Sequence, residues 1–235
     1  MSKKLIIGVI VAVVVVGVLV GVWRSQAPIA AYNNAIQPLL QQSTVLDSDI
    51  HRILSSQTTI SIQQQQISTT DKGARDLRAS IASIVPPSRY RDGHEALVAA
   101  ASARLKILDH FDDFLEHMLL IDSDRVENHI SKMTDYLRMA VATGRKSYLD
   151  LFEAEKTKLI KVLETNQKWI GYAEEDLIQC ENAIREYLSA VHRANTRLGM
   201  SVTSRLADVD LMPYKQPIGE AKRLNADLLR SVRDS

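Results

Sequence analysis

Residues 159–198 read LIKVLETNQKWIGYAEEDLIQCENAIREYLSAVHRANTRL. Apolar residues recur there at alternating spacings of four and three, and only Asn166 interrupts the apolar series. This heptad spacing predicts a helix that packs one face against neighbouring helices, as in a coiled coil. The positions that share this face are Leu159, Leu163, Asn166, Ile170, Ala173, Leu177, Cys180, Ile184, Tyr187, Val191, Ala194 and Leu198.

The limits of this helix allow two interpretations. The unbroken phase is compatible with one helix from about residue 124 to residue 206, with Gly144 as a weak point. Alternatively, a turn near residues 166–171 divides the segment in two and closes an antiparallel bundle. Helices of 80 residues are rare in globular proteins, which favours the divided version.

Upstream, a weaker seven-residue rhythm predicts a first helix over residues 29–85, which Pro86 and Pro87 end. The stretch 55–70, SSQTTISIQQQQISTT, has weak helix propensity, so it is either a kinked helix or a hinge.

A second helix follows the two prolines and extends to about residue 119. Asp124 and Glu127 then fit a capping box that starts the next helix. Downstream, Pro213 and Pro217 break the pattern, and a short amphipathic helix is predicted over residues 213–235.

The N-terminus carries a long apolar run. Leu5–Trp23 reads LIIGVIVAVVVVGVLVGVW, 19 residues without a charge, and a helix of that length spans roughly 28 Å. Lys3 and Lys4 precede it, and Trp23 and Arg24 close it as interfacial anchors do. A cleaved signal peptide is the alternative, but its apolar core is usually shorter. We therefore predict an uncleaved transmembrane anchor.

The basic residues beside this run predict its orientation. They favour a cytoplasmic N-terminus and an extracytoplasmic remainder of the chain, on a single-pass cell-membrane protein. Gly17 and Gly21 form a GxxxG pair, which permits two such helices to approach closely. The predicted domains are a cytoplasmic stub (1–4), the anchor (5–23), an extracytoplasmic helical bundle (25–212) and a C-terminal helix (213–235).

Composition supports an all-α chain. The 235 residues include only nine glycines and six prolines, too few for the turns of an all-β protein. The lone cysteine excludes an intramolecular disulfide, and the net charge of +1 gives no support for nucleic-acid binding. The predicted fold is one transmembrane helix followed by an elongated antiparallel helical bundle with coiled-coil character.

Three side chains of the second predicted helix are candidate metal ligands. His110, Asp113 and His117 are spaced three and four residues apart, so they share a helix face. The alternative interpretation is a solvated acidic face that carries two histidines. His94 and Cys180 lie on apolar faces, where a buried hydrogen-bonding residue and a small core residue are expected.

The sequence contains no glycine-rich phosphate loop, GxSxG, HExxH or CxxCH motif. We therefore predict a protein that is not an enzyme and uses no cofactor. The expected function is that of a membrane-anchored interaction or scaffold protein, which either serves other membrane-protein subunits or associates with itself. The alternative is an extracytoplasmic ligand- or metal-binding sensor module that acts with a separate membrane partner.

Overall fold

The chain is described by a computed structural model, which covers the backbone of residues 3–234 and the side chains of residues 27–234. The fold is all-α, and no strand occurs in this part of the chain. Short 3-10 turns occur at Ser88–Tyr90 and Arg205–Asp208. The helices of the described residues are α1 (Lys3–Ser55), α2 (Ile60–Ser83), α3 (Arg91–Leu119), α4 (Ser123–Thr143), α5 (Lys146–Leu198) and α6 (Met212–Asp234).

Helices α1, α2, α3 and the second half of α5 form a four-helix bundle. Helix α3 runs antiparallel to α5: a Cβ on Gly93, at the start of α3, would lie 2.5 Å from Leu198 at the end of α5. Toward the other end of α3, His117 bonds Asp176. The main core fills this bundle, and its largest fully buried side chains are Tyr187, Phe111, Phe114, Ile36, Ile50, Ile53, Leu54, Leu77, Ile81, Ile107, Leu108 and Leu115.

The first half of α5 carries a smaller second core. Helix α4 packs antiparallel on it, as the pairing of His129 with Glu155 indicates, and α6 covers one side. This core is built around Leu159, Leu163, Leu229 and Val232. Helix α5 therefore spans both packing units and joins them along a single rod.

The heptad face of α5 is confirmed, because all twelve predicted positions from Leu159 to Leu198 are buried. Neither predicted arrangement, one helix over residues 124–206 or two helices divided near residues 166–171, is correct. The chain breaks at Gly144, whose left-handed backbone (φ 66°) and N–H bond to the Ala140 carbonyl (2.8 Å) end α4. Residues 166–171 remain helical, and Asn166 accepts a 3.0 Å bond from the Asp122 backbone N–H.

Of the two alternatives for residues 55–70, the continuous kinked helix is wrong, and of the alternative hinge only residues 56–59 are non-helical. Helix α1 ends at Ser55, residues 56–59 turn the chain, and α2 returns along α1 from Ile60. Gln63 stabilises the turn from inside, since its amide donates to the Ser56 carbonyl (2.8 Å) and to the Tyr214 hydroxyl (2.9 Å). In the polar stretch 55–70, residues 56–59 form the turn between α1 and α2, and residues 60–70 are helical.

The predicted cap of α4 needs correction. Asp122, not Asp124, caps α4, because its carboxylate accepts a bond from the Arg125 N–H (2.9 Å). The last helix begins at Met212, one residue before the predicted start at 213, and Pro213 and Pro217 lie inside its first two turns. Pro213 is tolerated in the first turn because the N–H that it lacks has no partner there.

No helix among the described residues carries an apolar run that is long enough to cross a membrane. The predicted span 5–23 lies outside the residues whose side chains are described. The same holds for its proposed interface and contact residues Lys3, Lys4, Gly17, Gly21, Trp23 and Arg24.

Candidate functional site

Metal-ligating side chains converge at one edge of the α3–α5 interface. His110 and Asp113 of α3 and Asp176 of α5 place one ligand atom each within 4.8 Å of one another. His117 stands beside this group, with its Nδ1 2.6 Å from Oδ2 of Asp176. Of the three predicted candidates, the structure therefore brings His110 and Asp113 together, and Asp176 joins them where His117 was expected.

The helical register explains this placement. His110 precedes the buried Phe111, and Asp176 precedes the buried Leu177, so both side chains emerge at the rim of the same interface. The side chains of His117 and Asp176 are 26% and 16% exposed, so the site borders solvent without lying free in it. An ion could enter without any opening of the bundle.

Aromatic rings hold His117 in place. Its imidazole is stacked against Trp169, with ring centroids 5.6 Å apart, and also contacts Tyr172 at 5.3 Å. Because an ionised carboxylate only accepts hydrogen bonds, Nδ1 of His117 carries the proton that bonds Asp176. Trp169 and Tyr172 thus support a polar cluster at the edge of the bundle.

A second cluster of polar side chains is buried in the main core. Arg104 donates from Nε to Oδ1 of Asp47 (2.7 Å) and from Nη2 to the Tyr187 hydroxyl (3.0 Å) and to Ser43. The Tyr187 hydroxyl in turn donates to Oδ2 of Asp47 (2.5 Å). These bonds tie α1, α3 and α5 together inside an otherwise apolar core.

The buried cluster keeps its charges. Burial alone lowers the pKa of the Arg104 guanidinium, but Tyr187 and Asp47 raise it above its ordinary value. Burial chiefly raises the pKa of the Tyr187 hydroxyl. Arg104 is therefore a cation and Tyr187 a neutral donor at physiological pH, which suits a structural ion pair better than proton transfer.

His94 and Cys180 both occupy the apolar core. The Tyr32 hydroxyl lies 3.2 Å from Nδ1 of His94, and burial lowers the pKa of this imidazole, so it is neutral at pH 7. Burial raises the pKa of the Cys180 thiol to about 12. Cys180 is therefore a thiol that packs against α3, where its Sγ lies 3.8 Å from the Ile107 carbonyl.

We expect the stability of the first half of α5 at acid pH to depend on Glu155. Its bonds to Lys158 and His129, both 2.6 Å, lower the pKa of its carboxyl below 4.5. A lowered folded-state pKa stabilises the fold above pH 4.5, and this contribution is lost as pH falls through the folded pKa. Glu155→Gln should therefore cost about 1 kcal/mol at pH 7 and flatten the loss of stability below about pH 5.

The measurement is the free energy of unfolding of the full chain in detergent micelles between about pH 3 and pH 7. Glu127→Gln is the matched control, because this carboxylate of α4 is exposed and no ion pair to it is present among the described residues. If both variants show the same acid limb, the proposed role of Glu155 is contradicted.

The two clusters that join α3 to α5 are thus the half-open rim at His110, Asp113 and Asp176 and the closed interior around Arg104. Comparison with protein-family models, with curated proteins and with solved structures finds no match to this chain.

Proposed function

We propose that this chain is a membrane-tethered, non-catalytic interaction protein that associates with a second copy of itself through the α4–α5 hairpin. The apolar segment 5–23 is the tether, with the N-terminus in the cytoplasm and the elongated bundle outside it. Helix α1 is continuous from Lys3 to Ser55, and Tyr32 and Ile36 are already buried in the bundle. Tether and bundle therefore share one helix.

The observation that carries the proposal is the exposed apolar surface of the hairpin. In α4 only Ala140 is buried, and in α5 the first buried residue is Glu155. Clustered apolar exposure of this kind is typical of protein interaction sites. The exposed large apolar side chains of this region are Ile130, Leu137, Met139, Val141, Leu149 and Leu151.

Four of these side chains share one side of the hairpin. We call the positions at which α4 and α5 face each other the seam positions. Ile130, Leu137 and Val141 each come directly after a seam position of α4, and Leu149 comes directly after Tyr148, a seam position of α5. In an antiparallel helix pair, the residues directly after the seam positions lie on the same side of both helices. The hairpin therefore presents one continuous apolar face.

Helix α6 covers the part of this face that lies away from the hairpin turn, and it ends before it reaches the turn. Glu127, which also follows a seam position of α4, lines a shared groove with Leu228 of α6. The end of α6 packs near Leu159 and Met133. Beyond Met133, α4 continues for ten residues, or about 15 Å, without α6 on this face.

A second hairpin fits this face by shape and by charge. Two hairpins placed side by side with level tips make four helices around a common apolar centre, and the two-fold axis sets α4 of one copy against α5 of the other. Val141 then meets Leu149 of the second copy at the same height. Arg138 meets Asp150 and Glu153, so opposite charges flank the contact.

The membrane compensates for the small size of this contact. Four helices that overlap for about 15 Å form an interface below the size of a stable dimer in solution. Two tethered copies are confined to one plane and one orientation, which raises their effective concentration. Association is therefore expected in the membrane and should weaken when the chain is diluted in detergent.

The test is cross-linking of the full chain reconstituted in lipid vesicles. Val141→Cys treated with a short bis-maleimide is expected to give a covalent dimer, because the two-fold contact brings the hairpins together. Buried Cys180, whose thiol pKa is about 12, should not compete for the reagent. Val85→Cys is the control, since Val85 is 89% exposed at the opposite end of the bundle.

Arg138→Glu in the cysteine variant should reduce dimer yield several-fold, and the added change Glu153→Arg should restore it. Equal cross-linking at positions 85 and 141, or none at either, would contradict self-association. The tether is tested separately, by retention of the chain in membranes after alkaline washing. Labelling of Val85→Cys in intact cells by an impermeant maleimide tests the orientation.

A further inference from the structure

We propose that His110, Asp113 and Asp176 bind a divalent transition-metal ion, with Zn²⁺ as the reference ion. One ligand atom from each side chain lies within 4.8 Å of the other two. Ligands around a zinc ion at 2.0–2.2 Å stand roughly 3.5 Å apart. Small side-chain rotations on two fixed helices would therefore close the three ligands around one ion.

The ligand types select the class of ion. Imidazole nitrogen suits zinc and the other late transition metals, whereas calcium and magnesium take oxygen ligands almost exclusively. One imidazole with two carboxylates also neutralises a 2+ charge. Because Asp113 is exposed, water completes the coordination shell.

The packing of the bundle holds the ligands in place before an ion arrives. His110 and Asp113 lie one turn apart on α3, and the buried Phe111 and Leu177 fix α3 against α5 beside them. His117 donates to one carboxylate oxygen of Asp176, which leaves the other oxygen available to the ion. Such outer partners orient metal-binding carboxylates in many proteins.

This site is independent of the proposed hairpin contact. Asp176 lies 27 residues after Leu149 on the same helix, or about 40 Å away. Metal binding and self-association therefore succeed or fail separately, and the measurements below do not depend on the oligomeric state.

The test is calorimetric titration of the full chain in detergent micelles after removal of metal with EDTA. One equivalent of Zn²⁺ is expected to bind, and Ca²⁺ is not. His110→Ala and Asp176→Asn should each weaken the affinity at least 10-fold, because each removes one of three ligands. Co²⁺ in place of Zn²⁺ should give visible absorption bands of a low-coordinate site that both variants lose.

Two further variants separate binding from other effects. His192→Ala removes an exposed histidine outside the site and should leave the affinity unchanged. His117→Ala should weaken binding by about 10–100-fold at unchanged stoichiometry. The proposal is overturned if Zn²⁺ binds at less than one equivalent, if His110→Ala or Asp176→Asn binds like the unmodified chain, or if Ca²⁺ binds equally well. Helical circular dichroism confirms that each variant is folded.

Discussion

Arg104→Met is expected to lower the free energy of unfolding by about 3–5 kcal/mol. The side chains of Arg104 and Asp47 are 3% and 1% exposed, so the substitution leaves a carboxylate in the core without its counter-charge. The Tyr187 hydroxyl still donates to this carboxylate, but one neutral hydrogen bond does not replace a guanidinium. Urea denaturation of the full chain in detergent micelles measures the loss.

A matched control lies two residues away on the same helix. Lys106 pairs with Glu186 at 2.7 Å, and both side chains are more than half exposed, so Lys106→Met should cost less than about 1 kcal/mol. A second control replaces the whole cluster by Asp47→Leu, Arg104→Met and Tyr187→Phe, which should recover most of the stability. If Arg104→Met costs no more than Lys106→Met, the cluster is solvated and the buried ion pair does not stabilise the fold as predicted.

The heptad face of α5 and the helix breaks at Pro86 and near residue 122 were predictable from the sequence, whereas the reversal at residues 56–59 was not. Which residues of a helix face its neighbours follows from local spacing, and every predicted face position from Leu159 to Leu198 is buried. The turn at residues 56–59 contains neither glycine nor proline. It is stabilised by Gln63 and by Tyr214, which lies 151 positions from Gln63, so its cause is a tertiary contact.

The two polar clusters also depend on tertiary contacts that the sequence does not reveal. Arg104 appears in the sequence as one more polar residue on a helix, and its partner Asp47 is 57 residues away. Asp176 belongs to the acidic run 174–176, which by itself indicates only a solvated face. Sequence spacing brought His110 and Asp113 together because they share a helix, but the pairing of α3 with α5 supplied the third ligand.

Phe111→Ala is expected to cost about 3–5 kcal/mol of unfolding free energy. Phe111 is fully buried, and its ring centroid lies 5.5 Å from that of Phe114 and 5.2 Å, edge to face, from that of Tyr214. Tyr214 stands in the first turns of α6, and its hydroxyl donates to the Ser56 carbonyl. The cavity left by Phe111 therefore loosens α3, the start of α6 and the α1–α2 turn together.

The joint loosening of α6 and of the α1–α2 turn distinguishes this effect of Phe111→Ala from a general loss of packing. Hydrogen exchange of Phe111→Ala should show faster amide exchange at the start of α6 and in the first turn of α2 than at the end of α5, because Tyr214 links the first two. Phe152→Ala is the control: its side chain is only partly buried in the α4–α5 hairpin, so it should cost less and leave α6 protected. A uniform rise in amide exchange along the whole bundle would mean that Phe111 only fills space in the core and does not link α6 to it. Protection lost selectively around Tyr214 would identify Phe111 as the residue through which the main core holds the C-terminal helix.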